Sequence, residues 1–248
     1  MRFVISLLIW IAGTTLTAAL CLASFVIKRW PLPVRDRERL IHRQCFWWSD
    51  ALVSMNPFWK LRVDGLENID HARTYVIVAN HQSLADIILI YKIRMYFKWV
   101  AKEELLKVPF IGALLKLNGH ILITRDELGS IKEAYSEAAS RLREGVSILF
   151  FPEGTRSSTE EMGEFKNGAF KLAIKEKTPV LPVYIGGTRE AIPKGGFVFK
   201  AKVSGRISVL PAVDTAGMQA ADFERLRERV RGELKTAAVA RHGGPGHG

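Results

Sequence analysis

An uncharged run near the amino terminus, residues 3–27, constrains the fold of this chain more than any other segment. At about 1.5 Å per residue, a helix of this length crosses the roughly 30 Å hydrocarbon layer of a bilayer with some tilt. The run ends in Lys28-Arg29 rather than at a small-residue cleavage site, and it is longer than the apolar part of a usual secretory signal. The sequence therefore predicts a transmembrane or deeply embedded helix, with a cleaved signal peptide as the alternative.

Positive charge is concentrated directly after this run. Only Arg2 and the amino terminus precede it, so the positive-inside rule places the rest of the chain in the cytoplasm. The basic residues that follow are Lys28, Arg29, Arg35, Arg37, Arg39 and Arg43. The net charge of +11 suits an anionic membrane, a phosphorylated substrate or nucleic acid. Because the basic cluster adjoins an apolar segment, membrane lipids are the expected partner and nucleic acid is not.

A second segment, residues 35–59, is rich in aromatic side chains at helical spacing. Such a helix suits either the headgroup boundary of a membrane or a cap over the domain core, and both interpretations remain open. Cys21 and Cys45 lack metal-ligand spacing, so no structural metal is expected. We predict N-terminal membrane and interfacial helices over residues 1–60, one α/β domain over 61–240 and a disordered glycine-rich tail over 241–248.

Downstream of residue 60, short apolar runs alternate with amphipathic stretches. This pattern predicts an α/β fold with a mostly parallel central sheet flanked by helices. Strands are predicted over 74–79, 97–101, 121–124, 146–151 and 180–185, and helices over 83–96, 105–117, 130–144, 165–175 and 222–240. The runs 198–203 and 207–210 are predicted to pair as strands around Ser204-Gly205. Each loop that follows a strand is therefore a candidate location for catalytic or binding residues.

The loop after the first of these strands carries an imidazole and a carboxylate. Asp86 follows His81 by just over one helical turn, so the two side chains are able to meet. An Asp that accepts from one ring nitrogen orients the imidazole and leaves the other nitrogen to take a proton from a substrate hydroxyl. The alternative is a capping or hydrogen-bonding arrangement at a helix start.

A later loop, residues 151–157 with the sequence FPEGTRS, closes a buried strand with a Pro/Gly turn and exposes a guanidinium. The planar fork of Arg156 suits phosphate, because it makes bidentate charge-assisted hydrogen bonds. The alternative is a solvated turn in which Arg156 pairs with Glu153 or Glu160.

Together, HQSLAD after one strand and FPEGTRS after another resemble the PlsC-like family of glycerolipid acyltransferases, specifically the 1-acylglycerol-3-phosphate acyltransferases. The resemblance extends from about residue 65 to 210, because GHILITR at 119–125 is similar to the family's third block and VLPV at 180–183 to its fourth. Thr124 stands where the family often has Asp, and Leu181 where Val or Ile is usual. Neither departure touches the acid–base pair.

The resemblance implies that His81 is the general base and Asp86 its orienting partner. It implies that the acceptor site is shaped by Lys102, Arg125, Glu153, Gly154, Thr155 and Arg156. It also implies an acyl-thioester donor, either acyl-CoA or acyl-carrier protein, and no metal or other cofactor. The expected reaction is attack of the sn-2 hydroxyl of lysophosphatidic acid on the thioester, which gives phosphatidic acid for phospholipid biosynthesis. Backbone amides near Gly154 are candidates for stabilising the oxyanion.

Three alternatives remain open at this point. The nearest is the same chemistry on another lysophospholipid or a lyso-aminolipid, since motifs transfer reaction class better than substrate. The second is a non-catalytic lipid-binding protein on the same fold. The third is a basic nucleic-acid binder. Among individual residues, Lys102 has a solvated surface position as its alternative, and His120 is interpreted as a hydrogen-bonded, partly buried residue without a catalytic role.

Overall fold

The structure is a computed structural model that describes residues 2–56, 59–124, 127–156, 161–189, 191, 198–199 and 202–240. A sheet of seven strands lies at its centre. The strands are β1 (Trp59–Asp64), β2 (Val76–Ala79), β3 (Phe97–Lys102), β4 (Ile121–Ile123), β5 (Ser147–Phe150), β6 (Val180–Gly186) and β7 (Val203–Val209). Their spatial order is β1-β7-β6-β2-β5-β3-β4.

Neighbouring strands of this sheet are parallel except for the pair β6 and β7, which is antiparallel. Strands β2, β5 and β6 are buried along their whole length. Their continuous apolar sequences follow from this burial, because a parallel sheet is covered by helices on both faces. The predicted mostly parallel α/β sheet is confirmed.

Seven α-helices surround the sheet in the described part of the chain. They are α1 (Arg2–Arg29), α2 (Val34–Ser54), α3 (Ala85–Leu89), α4 (Ile111–Leu117), α5 (Leu128–Arg143), α6 (Gly168–Lys175) and α7 (Phe223–Val239). Short 3₁₀ turns occur at Leu66–Asn68, Ile90–Ile93, Glu103–Lys107 and Ala220–Asp222. Alternate residues of β2 face two separate cores: Val76 and Val78 pack with α5, α6 and α7, whereas Ile77 and Ala79 pack with α2 and α3.

Helix α2 belongs to the domain core along one side. Cys45 and Trp48 are buried in the same cluster as β2 and β3, while Trp47 is 63% exposed. A buried ion pair adds to this docking, because Nζ of Lys98 lies 2.9 Å from Oε2 of Glu38. Burial raises the pKa of Glu38, but the hydrogen bond and charge of Lys98 outweigh it and the net pKa is lowered. The buried side of this helix therefore agrees with the interpretation that the helix caps the domain core.

Helix α1 is the one described helix that is long and apolar enough to cross a membrane, over Phe3–Arg29 with a mean hydropathy of 2.0. Two of its polar side chains are buried against the protein: Trp48 Nε1 donates to Thr17 Oγ1 at 3.0 Å, and the Phe199 N–H donates to Ser6 Oγ at 3.0 Å. Its exposed face is mostly apolar, and the large apolar side chains on it are Phe3, Val4, Ile5, Leu7, Leu8, Ile11, Leu22, Phe25 and Val26. A helix on the surface of a protein in water has the opposite arrangement, with its apolar side chains buried and its polar side chains exposed.

The predicted pairing of 198–203 with 207–210 is wrong. Strand β7 runs through Ser204-Gly205 without a turn, and its partners are β1 and β6. Gly205 opposes Leu61 of β1, and a Cβ atom on Gly205 would lie 3.2 Å from Leu61 Cδ1. The glycine therefore permits a close approach between strands, which the sequence pattern does not distinguish from a hairpin turn.

The single helix predicted over 105–117 is also wrong. The chain forms the 3₁₀ turn Glu103–Lys107, becomes extended at Val108 and begins α4 only at Ile111. Pro109 explains the break, since a proline disfavours helical geometry at the residue before it. The predicted domain boundary after residue 60 falls within β1, and the predicted tail, 241–248, lies outside the described residues.

Candidate active site

Three loops meet at one edge of the sheet because β5, β2 and β6 are adjacent and parallel. Residues 80–84 follow β2, residues 151–156 follow β5 and residues 187–189 follow β6. In an open parallel sheet, ligands bind outside the carboxyl ends of the strands. The two loops singled out from the sequence are therefore neighbours in space.

His81 and Asp86 are in direct contact at this edge. Nδ1 of His81 lies 2.9 Å from Oδ2 of Asp86, and Asp86 is fully buried. The same oxygen accepts the backbone N–H groups of Gln82 at 2.6 Å and Ser83 at 2.8 Å. Because donors of this kind favour a carboxylate, Nδ1 is assigned the proton and the lone pair falls on Nε2. The pair has the arrangement that a general base requires.

Phe151 holds the flat face of the imidazole. The rings of His81 and Phe151 are stacked with centroids 4.4 Å apart and an interplanar angle of 23°. The ring is thus fixed at one nitrogen and on one face, while 14% of the His81 side chain remains accessible.

The carboxylate of Glu153 connects the two loops. Oε1 accepts the backbone N–H of His81 at 2.8 Å, and Oε2 accepts the backbone N–H of Gly163 at 3.0 Å. Burial raises the pKa of Glu153, and these two donors oppose that effect without cancelling it. Both oxygens are thus engaged inside the protein, which makes Glu153 a support for His81 in this structure.

The remainder of the FPEGTR loop forms a tight turn. Gly154 has a φ of 68°, a left-handed conformation that favours glycine, and its N–H donates to the carbonyl of Phe151 at 3.0 Å. This amide is therefore occupied, and the expectation that amides near Gly154 stabilise an oxyanion stays a prediction for its neighbours. Thr155 is exposed and Arg156 is half-buried. Arg156 forms no ion pair with Glu153, and Glu160, the other partner considered for it, lies outside the described residues.

Lys102 and Arg125 complete the predicted site residues. Lys102 ends β3 and is half-buried, and β3 pairs in parallel with β5. Its ammonium therefore belongs to the same edge of the sheet as Arg156, and it makes no ion pair with another described residue. Arg125 lies outside the described residues.

Two further residues at the site were missed by sequence reasoning. The amide of Asn80 donates to the carbonyl of Ile185 at 2.7 Å and accepts its N–H at 2.8 Å. The hydroxyl of Thr188 donates to Oδ1 of Asp86 at 2.5 Å. For Asn80, the signal was an amide directly after a strand. For Thr188, the only signal was the Gly186-Gly187 pair that ends β6.

Residues 60–186 match the family model described as Acyltransferase. This match spans half of the chain and includes His81, Asp86, Glu153 and Arg156. The chain belongs to the Acyltransferase family.

Relatives within the Acyltransferase family include bacterial and plant proteins. The 1-acyl-sn-glycerol-3-phosphate acyltransferase of Borreliella burgdorferi is 34% identical over 176 residues, which cover 71% of this chain and 70% of that protein. The chloroplastic 1-acyl-sn-glycerol-3-phosphate acyltransferase LPAT1 of Arabidopsis thaliana is 36% identical over 146 residues, or 58% of this chain. The chain spans less than half the length of this and other plant and algal relatives, between 41% and 46%.

A solved Acyltransferase structure has the same architecture. The crystal structure of the 1-acyl-sn-glycerophosphate (LPA) acyltransferase, PlsC, from Thermotoga maritima superposes with a TM-score of 0.83. It is 28% identical in sequence, and the match covers 100% of both chains. The family and fold expected from the two motifs are therefore confirmed.

Proposed function

We propose that this chain transfers a fatty acyl group from a thioester to the sn-2 hydroxyl of lysophosphatidic acid, which gives phosphatidic acid. The contact between Nδ1 of His81 and the buried carboxylate of Asp86 carries the proposal, because it leaves Nε2 as a base at the open edge of the sheet. The printed names of the relatives support the acceptor, since those proteins are 1-acyl-sn-glycerol-3-phosphate acyltransferases.

His81 acts as a general base in the proposed reaction. Nε2 takes the proton of the acceptor hydroxyl while the hydroxyl oxygen attacks the thioester carbonyl carbon. Asp86 stabilises the resulting imidazolium. When the tetrahedral intermediate collapses, the carbon–sulfur bond breaks, the thiolate leaves and the proton on His81 returns to sulfur or solvent. Attack by the hydroxyl is direct, so the step requires no protein nucleophile.

The acceptor phosphate is assigned to the basic residues beside this pair. Arg156 follows β5 and Lys102 ends β3, so both lie at the edge that carries His81. A guanidinium binds two phosphate oxygens at once, and an ammonium adds a point charge. Arg125 is proposed as a third contact, and Glu153, Gly154 and Thr155 shape the turn that presents Arg156.

The donor is proposed to be acyl-CoA or acyl-carrier protein, and the reaction needs no metal or other cofactor. Both carriers present the same thioester, so the chemistry at His81 is identical for either. The two donors differ in the carrier that is attached to the thioester sulfur and that the protein recognises.

The N-terminal helix is proposed to hold the domain at the cytoplasmic side of a membrane. Helix α1 contacts the rest of the protein at Ser6, through Phe199, and again at Lys28, whose carbonyl accepts from Arg37 Nη1 at 2.9 Å. These contacts lie about 33 Å apart along the helix, so they favour a helix embedded alongside the domain over an isolated span. Membrane lipids then cover the apolar outer face of α1.

An acyl-transfer assay with purified membranes tests the function. Wild-type protein and His81→Ala are each offered acyl-CoA or acyl-carrier protein with lysophosphatidic acid, another lysophospholipid, a lyso-aminolipid and an uncharged monoacylglycerol. We expect product from lysophosphatidic acid with the wild type and a loss of at least about 10³-fold with the variant. Equal product from both proteins contradicts the mechanism. Preference for a different acceptor keeps the mechanism and replaces the substrate.

A further inference from the structure

The hydroxyl of Thr188 is the third member of a chain of polar contacts that ends at His81. We propose that Thr188 is a positioning residue that keeps Asp86 an anionic hydrogen-bond acceptor for His81. Thr188 is fully buried, and its Oγ1 lies 2.5 Å from Oδ1 of Asp86. The inference rests on the proposed function, because it assigns Thr188 a part in the same base.

The two oxygens of Asp86 have different partners. Oδ2 accepts from His81 Nδ1 and from the backbone N–H groups of Gln82 and Ser83. Within the described residues, Oδ1 accepts from Thr188. Removal of the threonine hydroxyl would therefore leave one oxygen of a fully buried carboxylate without its donor, a loss that penalises the charged form.

Thr188 reaches this oxygen because β6, the strand that it follows, lies beside β2 in the sheet. The side chain of Asn80 bonds both the N–H and the carbonyl of Ile185, which fixes the end of β6 against the end of β2. Gly187 then adopts a φ of 74°, a conformation suited to glycine, and the chain turns. The carbonyl of Thr188 accepts the N–H of Ala191 at 2.8 Å, which closes the turn.

The loops that follow the two strands beside β2 thus each support one member of the pair formed by His81 and Asp86. Glu153, after β5, holds the backbone of His81, and Thr188, after β6, holds the carboxylate of Asp86. Neither Glu153 nor Thr188 is proposed to contact the reacting atoms. Glu153 acts through the orientation of His81, and Thr188 acts through the orientation and charge of Asp86.

A small cavity beside Thr188 has a mostly apolar lining that includes Ala85, Leu89 and Val203. Among the described residues, the titratable groups around Asp86 are the His81 ring, the Glu153 carboxyl and, across this cavity, Lys60 of β1. A valine at 188 would keep the side-chain shape and extend the apolar surface to Oδ1.

Loss of the hydroxyl is expected to affect catalysis in a specific way. The active form needs a carboxylate at Asp86 and a neutral imidazole at His81. Without the Thr188 donor, Oδ1 of the buried carboxylate loses its hydrogen bond, so Asp86 is held less firmly and orients the His81 ring less well. We therefore expect Thr188→Val to lower kcat by about 10- to 100-fold.

The test compares Thr188→Val with Thr188→Ser, which retains the hydroxyl and should restore most of the activity. Thr215→Val is the matched control, because Thr215 is also fully buried and donates to the carbonyl of Thr178 at 3.0 Å, near the opposite end of β6. This control is expected to reduce thermal stability while kcat stays within about twofold of the wild type. Equal loss of kcat in Thr188→Ser and Thr188→Val, or an equal loss in Thr215→Val, overturns the proposal.

A second measurement does not depend on acyl transfer. Nitrogen-15 NMR of His81 in detergent micelles, assigned with His81→Ala, reports which ring nitrogen carries the proton at neutral pH. We expect the Nδ1–H form in the wild type and Thr188→Ser, and a mixture of the two tautomers in Thr188→Val, since a less firmly held carboxylate no longer selects the Nδ1–H form. If no lysolipid is acylated but the tautomer changes, the proposed function fails and the role of Thr188 stands. Identical spectra for all three proteins overturn that role.

Discussion

The backbone N–H of His81 lies 2.8 Å from Oε1 of Glu153, and this hydrogen bond joins the loops that follow β2 and β5. The second oxygen of Glu153 accepts the N–H of Gly163, which lies ten residues further along the chain. A single carboxylate therefore connects three backbone segments around the base. The FPEGTR motif therefore orients His81 through Glu153, and it also supplies the guanidinium of Arg156.

Glu153→Gln should lower kcat more than it raises KM for lysophosphatidic acid. The glutamine amide presents an oxygen to only one of the two backbone donors, so the other loses its acceptor and His81 shifts. We expect kcat to fall about tenfold or more. Steady-state kinetics check this, with Glu164→Gln as the control because Glu164 is exposed in the same loop. A rise in KM alone would instead indicate that Glu153 contacts the acceptor.

Asp86→Asn should abolish most of the activity while leaving the fold intact. An asparagine presents an NH₂ group or a neutral oxygen where three donors and Thr188 require an anion. The imidazole then loses its Nδ1–H orientation, and we expect kcat to fall about 10³-fold. Single-turnover acyl transfer measures the loss, and near-ultraviolet circular dichroism checks the fold. A variant that keeps half of the wild-type kcat would contradict the assigned role of Asp86.

Arg156→Ala should weaken acceptors that carry a phosphate and spare those that do not. The charge-assisted bonds to phosphate are lost, so we expect KM for lysophosphatidic acid to rise about tenfold or more. Monoacylglycerol turnover should stay within about twofold of the wild type. Lys102→Ala is expected to show the same pattern with a smaller effect. Arg225→Ala, an exposed arginine on α7, is the control, and equal loss with every acceptor would refute phosphate binding.

Acid pH should destabilise the protein through two buried histidines. Burial lowers the pKa of His42 to about 3, and its Nε2 bonds the carbonyl of Met95 at 2.8 Å. Burial also holds the pKa of His120 well below its usual range, and its Nδ1 accepts the Trp99 N–H at 3.1 Å. Both rings are neutral when folded and titrate near pH 6.5 when unfolded, so the unfolded state binds more protons below that pH.

The free energy of unfolding should therefore fall as pH drops from 6.5 toward 4, by up to about 1.4 kcal/mol per pH unit for each histidine. Chemical denaturation in detergent at several pH values measures the slope. His42→Leu is expected to give a shallower slope, whereas His71→Leu, at an exposed position, should leave it unchanged. The same slope in wild type and His42→Leu would rule out this contribution. The polar contact of His120 agrees with its interpretation as a hydrogen-bonded residue.

The contact between His81 and Asp86 was predictable because its geometry is local. His81 and Asp86 are five residues apart at the start of a helix, so chain geometry alone brings imidazole and carboxylate within reach. The neighbourhood of His81 and the FPEGTR loop was predictable for a related reason, since alternating strands and helices form a parallel sheet whose loops share an edge. The apolar helix followed from composition and length.

The contacts that support this pair were not predictable, because each joins residues far apart in the chain. Thr188 lies 102 residues from Asp86, and Asn80 lies 105 residues from Ile185. Such contacts depend on which strands are neighbours and on their register, and a period-two apolar pattern specifies neither. The same limit explains the misassigned hairpin at Gly205 and the undecided face of α2. Sequence sufficed for the local base and its family, whereas the partners that orient the base required long-range packing.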